Sequence, residues 1–412
     1  MEALRWVQHA RRSALLLGGL LFGACDAAPA GTDALLVRDS AGVEIVENAG
    51  DVWAAPEIWT LSADPVVRIG AADGDEAYLF SGVRGIVVLN DGRIVVANAG
   101  DHTMRWFDAD GGYLFQRGGA GEGPGEFSRL GGITSGAADS IIAVDWSARR
   151  LTRFAQDGAI GETTRLVGLT GPPGAVHRLA SGSFVVGVSG FSTAQVGPNP
   201  QPGHVRLPSP MLRVAADGSR ADTIGMFPGV EIEIRPSDSG GLMFGPARFA
   251  KNLSYGVAGD RVYVGTADRF HVDVYSPAGE LLRSIRAPDV DVRITPQVEA
   301  EYRDYLRARL ADVQAEQRAQ AERDLAAIEL PPTRPAYASF LLDDGGYLWV
   351  GAYNLDYTAP RRFVVFDTDG RIVSTVTVPE RFRVLAIVGD RVWGVATDEL
   401  DVQYVTAYGI ER

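Results

Sequence analysis

The sequence predicts an all-β fold, a six-bladed β-propeller closed by an N-terminal strand, with one inserted helix at about residues 295–328. Three observations carry that reading. First, residues 91–127 hold an apolar run at Ile94-Val95-Val96, a second ending at Phe107, and a third at Tyr113-Leu114-Phe115. A polar loop and a tight turn (Asp108, Asp110, Gly111, Gly112) divide them, which is the pattern of an antiparallel meander. Second, the text returns at constant offsets. A shift of 47 carries Arg93-Ile94, Phe107 and Gly111 onto Ser140-Ile141, Phe154 and Gly158, and a shift of 168 carries them onto Arg261-Val262, Tyr275 and Gly279. Third, the two ends are incomplete in complementary ways. Residues 65–69 read as an outermost strand with none before it, while the last copy, from Gly389, meets Arg412 before its fourth strand. Six units of about 45–50 residues, each a few short strands with Gly/Asp turns, read as blades. Joining the ends closes the ring and pairs edges otherwise left open.

In chain order, Arg5, Arg11 and Arg12 precede an apolar run from Ala14 to Phe22, too short to span a bilayer comfortably. Small residues then lead to Cys25, the only cysteine. Residues 1–24 therefore read as a secretory signal peptide, with Cys25 resembling the acylated cysteine of a bacterial lipobox. Residues 25–34 form the lipidated cysteine and a flexible linker, and residues 35–412 a single domain with its helical insertion at 295–330. Acyl chains hold such a protein at a membrane without a spanning helix. Val43-Glu44-Ile45-Val46 reads as a further strand, and residues 70–80 echo 119–127. Approximate blades cover 82–130, 131–170, 171–228, 229–288, 289–379, and 380–412 with the N-terminal segment.

In a propeller the loops joining strands two and three open on the same face as those leading to the next blade. Four irregular segments map there: 190–210, 229–249 (with room for an extra hairpin), 295–328 and 354–361. Function usually sits on loops carried by a rigid scaffold, so this face is the expected site. The segment 295–328 reads as one helix, capped by Thr295, with Pro296 in its first turn and Pro331-Pro332 as its stop. Val298, Tyr302, Tyr305, Leu306, Leu310 and Val313 form an apolar stripe, and Glu299–Arg303 is spaced to pair on the wet side.

The net charge of −13, with Lys251 the only lysine among 39 basic residues, argues against a nucleic-acid partner, which needs a basic stripe. Acidity of this size reports mainly solubility. The glycine-rich text 119–125 lacks the following helix and Lys-Ser/Thr pair of a phosphate loop, and reads as a between-blade turn. Strand-two ends carry Asn98, Asp145, Asp268, Asn354 and Asp398, oxygen donors that could hold calcium near one mouth, though loops favour Asn and Asp anyway. His102 and His271 fall at nearly equivalent positions of two copies, without the third histidine that zinc would want. Trp349 and Trp393 occupy matching strand positions and read as packing between blades.

At Arg93-Ile-Val-Val-Ala-Asn98, Arg105-Trp-Phe-Asp108, Gly121-Glu-Gly-Pro-Gly-Glu-Phe127 and Tyr347-Leu-Trp-Val350 the chain resembles the six-bladed propellers related to NHL repeats, in their exported bacterial lipoprotein form. The resemblance implies the fold over residues 40–412. It leaves activity open, because that superfamily holds ligand-binding scaffolds, calcium-using lactonases and a zinc-using amidating lyase. The expected function is a monomeric lipoprotein of the cell envelope, on the periplasmic side of the inner membrane or at the outer membrane. It would bind a protein, peptide or glycan, with no nucleic acid and no assigned catalytic residue. The alternative is a calcium- or zinc-dependent hydrolase or lactonase.

Overall fold

The computed structural model describes residues 35–169, 171–188, 196–197, 199–237, 240–310 and 314–412. The signal segment, Cys25, the linker and Val313 lie outside the described residues. Six sheets follow one another along the chain, each starting at its inner strand and working outward. Blade 1 runs from Val83–Val88 to Tyr113–Gly118, blade 2 from Leu130–Ser135 to Ile160–Arg165, and blade 3 from Pro173–Arg178 through Ala221–Pro236. Blade 4 runs from Ser254–Ala258 to Leu281–Arg286, blade 5 from Ser339–Leu342 to Ile372–Val378, and blade 6 from Phe382–Val388 to Gln403–Glu411. The fold is a six-bladed β-propeller. Among the described residues no helix is long and apolar enough to cross a membrane.

The middle strands of the blades are rich in apolar residues because each sheet is covered on both faces by its neighbours. Ile94–Asn98, Thr103–Phe107 and Ile141–Asp145 are buried at every residue. Trp106, Phe127 and Phe154 fill the seam between blades 1 and 2, while Ile69, Phe107 and Trp393 fill that between blades 6 and 1. Trp349 is 1% and Trp393 2% exposed, the between-blade packing expected of them. The outer hairpins of blades 1 to 5 turn through the same bond, Gly111 N–H to Asp108 O, then Gly158 to Ala155, Gly218 to Ala215, Gly279 to Ser276 and Gly370 to Asp367. Each of these glycines has a positive φ between 70° and 91°, which explains the repeat's fixed glycine.

Ring closure follows the complementary ends. Val67–Ile69 pairs antiparallel with the last strand, Val405 opposite Ile69 and Ala407 opposite Val67. Thr60–Leu61 extends this pairing to Ile410 and Glu411. The strand at Val43–Asn48 has a less expected place. It adds in parallel to the outer strand of blade 4, Ile45 opposite Ser284, and carries Leu35–Ser40 as a sixth strand. Between these two anchorages the chain crosses the rim of blade 5, where Ser374 Oγ accepts from the N–H groups of Ile58 and Trp59, at 3.0 and 2.8 Å. The N-terminal segment is thus a strap over three consecutive blades.

The excursions correct two expectations. The single helix of 295–328 is two, α1 (Pro296–Ala308) and α2 (Ala315–Ala326). Thr295 caps the first as expected, and Glu299 pairs with Arg303 at 2.8 Å. Arg303 also donates to the carbonyls of Leu325 and Ile328 at the end of α2, so the pair is an antiparallel hairpin. Folding back lets α2 bury Leu325, 5% exposed, which a straight helix projecting from the rim would leave in water. The second correction concerns 203–210, part of the Pro/Gly-rich segment 190–210 read as irregular. Gly203–Val214 is one strand of 12 residues paired with the 16 residues of Ala221–Pro236. The ladder shifts register between Arg206 and Pro208, where a missing N–H is tolerated. Leu242–Pro246 pairs back on 232–236 as the extra hairpin, and Leu207, Ile232 and Ile234 give this extension its own core.

Candidate functional site at the channel mouth

The six inner strands surround a central channel with a cavity of about 520 Å³, lined by all six blades. Their inward edges carry backbone groups that no further strand pairs. Glycines let the blades close in: a Cβ on Gly85 would meet Ile133 at 2.9 Å. Inner strands start on the face that holds the between-blade connections, so their first residues form one mouth and their last residues the other.

The two mouths differ in charge. At the first, Arg84 and Arg383 are each the second residue of an inner strand, in blades 1 and 6. Trp146 lies over blade 2, against Gly131, where an added Cβ would stand 2.3 Å from the indole Cδ1. The guanidiniums of Arg84 and Arg129 sit 5.4 and 5.5 Å from the Trp146 ring. Neither makes a side-chain hydrogen bond or ion pair among the described residues. Arg383 donates to Val83 O at 2.9 Å. Burial and the neighbouring Arg84 hold its pKa below the ordinary arginine value. The opposite mouth is acidic: Asp343 accepts from Tyr347 N–H at 2.7 Å and the Trp349 indole at 3.1 Å, and burial raises its pKa. Asp344 accepts from Gly389 N–H.

The four excursions meet on the arginine side of the ring, 203–206 pairing with 231–234. Phe249 stands 4.9 Å from Tyr302 of α1 and 6.0 Å from Tyr353 of the blade 5 loop. Arg248 pairs with Glu233 at 3.0 Å, and Lys251 with Glu231 at 3.5 Å. They pack into one cluster on that face. Within the channel, His177 Nε2 is buried without a hydrogen-bond partner, and burial pushes the imidazole down to about 4.

The residues singled out from sequence are not brought together. Asn98 accepts from Ser81 N–H at 2.8 Å. Asp145, 1% exposed, accepts from the N–H groups of Ser128, Arg129, Ser147 and Ala148 and lies 3.6 Å from Arg150. Asp268 pairs with Arg206 at 2.6 Å, Asn354 donates to Pro360 O, and Asp398 caps its own turn at Leu400 and Val402. Asn98, Asp145, Asn354 and Asp398 anchor local turns and loops, and Asp268 ties to the blade 3 extension. No group of three or more His, Cys, Asp or Glu able to hold a metal forms among the described residues. His102 Nδ1 accepts from Leu130 N–H at 3.2 Å, joining blade 1 to blade 2. His271, in blade 4, is held below its usual pKa by burial and by Arg286. Sequence reasoning missed Arg84, Arg129, Arg383 and Trp146. The usable signal was an arginine at the second inner-strand position of two blades.

Residues 74–169 match a family described as a 6-bladed beta-propeller. No curated protein matches the chain. Among solved structures, a putative exported protein from Bacteroides fragilis aligns over 89% of this chain and 100% of its own, with 11% identity and a TM-score of 0.50. A DUF4221 family member from Bacteroides vulgatus aligns over 87% and 99%, with 10% identity and a TM-score of 0.50. A gluconolactonase from Xanthomonas campestris aligns over 87% and 97%, with 14% identity and a TM-score of 0.42. The two alignments at a TM-score of 0.50 speak to the fold alone.

Proposed function

We propose that the chain is a binding module of the cell envelope, exported and held by a lipid on Cys25, which receives its ligand at the channel mouth on the excursion-bearing face. The observation that carries this is a central cavity opening on the face from which the excursions leave. The channel offers about 520 Å³ at the centre of the ring, and the excursions from blades 3, 4 and 5 pack together on that face. Ligand sites favour such concave positions with a few convergent polar groups. The text of residues 1–25 supports export and anchoring. A protein, peptide or glycan of the envelope is the class of partner that this location offers.

The test is a thermal-shift screen of the purified chain against envelope peptides, glycans and small metabolites, repeated on Trp146→Ala. A ligand that stabilises the wild type and not the variant, without being turned over, is the expected result. Turnover of the bound compound together with stoichiometric calcium or zinc would establish the hydrolase reading instead.

A further inference from the structure

We infer that the channel mouth is a receptor for a small organic anion, a carboxylate or a phosphate, held by Arg84, Arg129 and Arg383 beside Trp146. The inference deepens the binding-module reading and rests on it. Its ground is a charge imbalance that composition opposes. The chain carries 52 acidic against 39 basic residues, and several arginines elsewhere pair with carboxylates, Arg105 with Asp101, Arg206 with Asp268 and Arg283 with Glu44 among them. At this mouth two guanidiniums face one indole with no acid paired to either, and a third is tied to a backbone carbonyl by one nitrogen. Like charges gathered without counterions repel one another, and a bound anion removes that repulsion. Guanidinium forks suit the planar carboxylate and the phosphate alike, and the bonds they form are charge-assisted.

The surroundings favour an organic anion over a bare ion. Below the arginines the throat presents the apolar side chains of Ile86, Ile133, Phe340 and Leu385 among the backbone groups of the inner strands. The acids at the far mouth, Asp343 and Asp344, are occupied with backbone and indole N–H groups. A ligand therefore enters charge first from the excursion side or rests with its charge at that rim and its carbon body in the throat.

The test is calorimetric titration of the purified chain with citrate and with inorganic phosphate. Saturable one-to-one binding of at least one probe is expected, weakening as salt rises. Arg84→Met should lower the affinity about tenfold or more, and Arg84→Met with Arg129→Met should lower it further. Neither side chain holds the fold by a hydrogen bond or ion pair, so both variants should keep the wild-type melting temperature. The two probes distinguish a carboxylate receptor from a phosphate receptor. No saturable binding of either probe, or affinity unchanged in the double variant, overturns the inference. A neutral ligand lost on Trp146→Ala, with no anion binding, would overturn it too while leaving the binding-module reading intact.

Discussion

Blades 2 and 3 start from the same four-strand plan and end as different objects. Blade 2 keeps strands of five or six residues, and the loop carboxylate Asp145 is wholly consumed in holding its turn. Blade 3 lengthens its third and fourth strands to 12 and 16 residues, and where they run on past the sheet they acquire a core of their own. The difference separates two kinds of polar residue. Those within the repeat serve the ring, and those at the mouth, where the excursions gather, are left with unspent charge.

The comparison can be broken at the ring itself. Trp393→Ala empties a 2%-exposed site beside the closing strand and should cost about 3–5 kcal/mol, seen as a lower cooperative midpoint in denaturant. A variant that melts like the wild type would mean that this seam does not hold the ring. Next is the extension. Ile232→Ala removes a fully buried side chain from its small core and should cost about 2–5 kcal/mol there. Limited proteolysis should then cut within 203–246 while the blades stay protected. Simultaneous loss of the blades would show that the extension is part of the ring's cooperative unit.

Asp145→Ala should cost about 1–3 kcal/mol, because four backbone N–H groups lose their acceptor. One of them belongs to Arg129, so anion affinity should fall as well. A stability loss with unchanged affinity would uncouple the turn from the mouth. The smallest effect is a slope. His177 has a folded pKa of about 4 against an ordinary 6.5, so between these values the unfolded chain binds more protons. Its contribution is present above about pH 6.5 and is lost as pH falls towards 4. His177→Leu should flatten the dependence of the denaturation midpoint across that window, and an unchanged slope would place the imidazole in water.

The blades were legible because their causes are local: alternating apolar residues, Asp/Gly turns, and a constant spacing that carries Phe107 onto Phe154. Closure was legible because two defects, at 65–69 and after Gly389, fit each other. The helical hairpin was not, since no Gly or Pro marks its bend and Arg303 reaches Leu325 and Ile328 only after the chain has folded back. Nor was the mouth. Arg84 and Arg383 lie in the first and last blades and become neighbours only when the ring shuts, and in a sequence whose basic residues are nearly all arginine no single one stands out. Asp145 and Asn98 looked like ligands for the opposite reason, because a side-chain oxygen's backbone partners are invisible until the loop is built.

The most direct measurement is hydrogen exchange of the chain with and without the tighter-binding of the two anionic probes. Slower exchange confined to 83–86, 130–133 and 382–385, with the far mouth at 343–346 unchanged, is the predicted result. Protection centred on 343–346, or spread evenly over both ends of the channel, would contradict it.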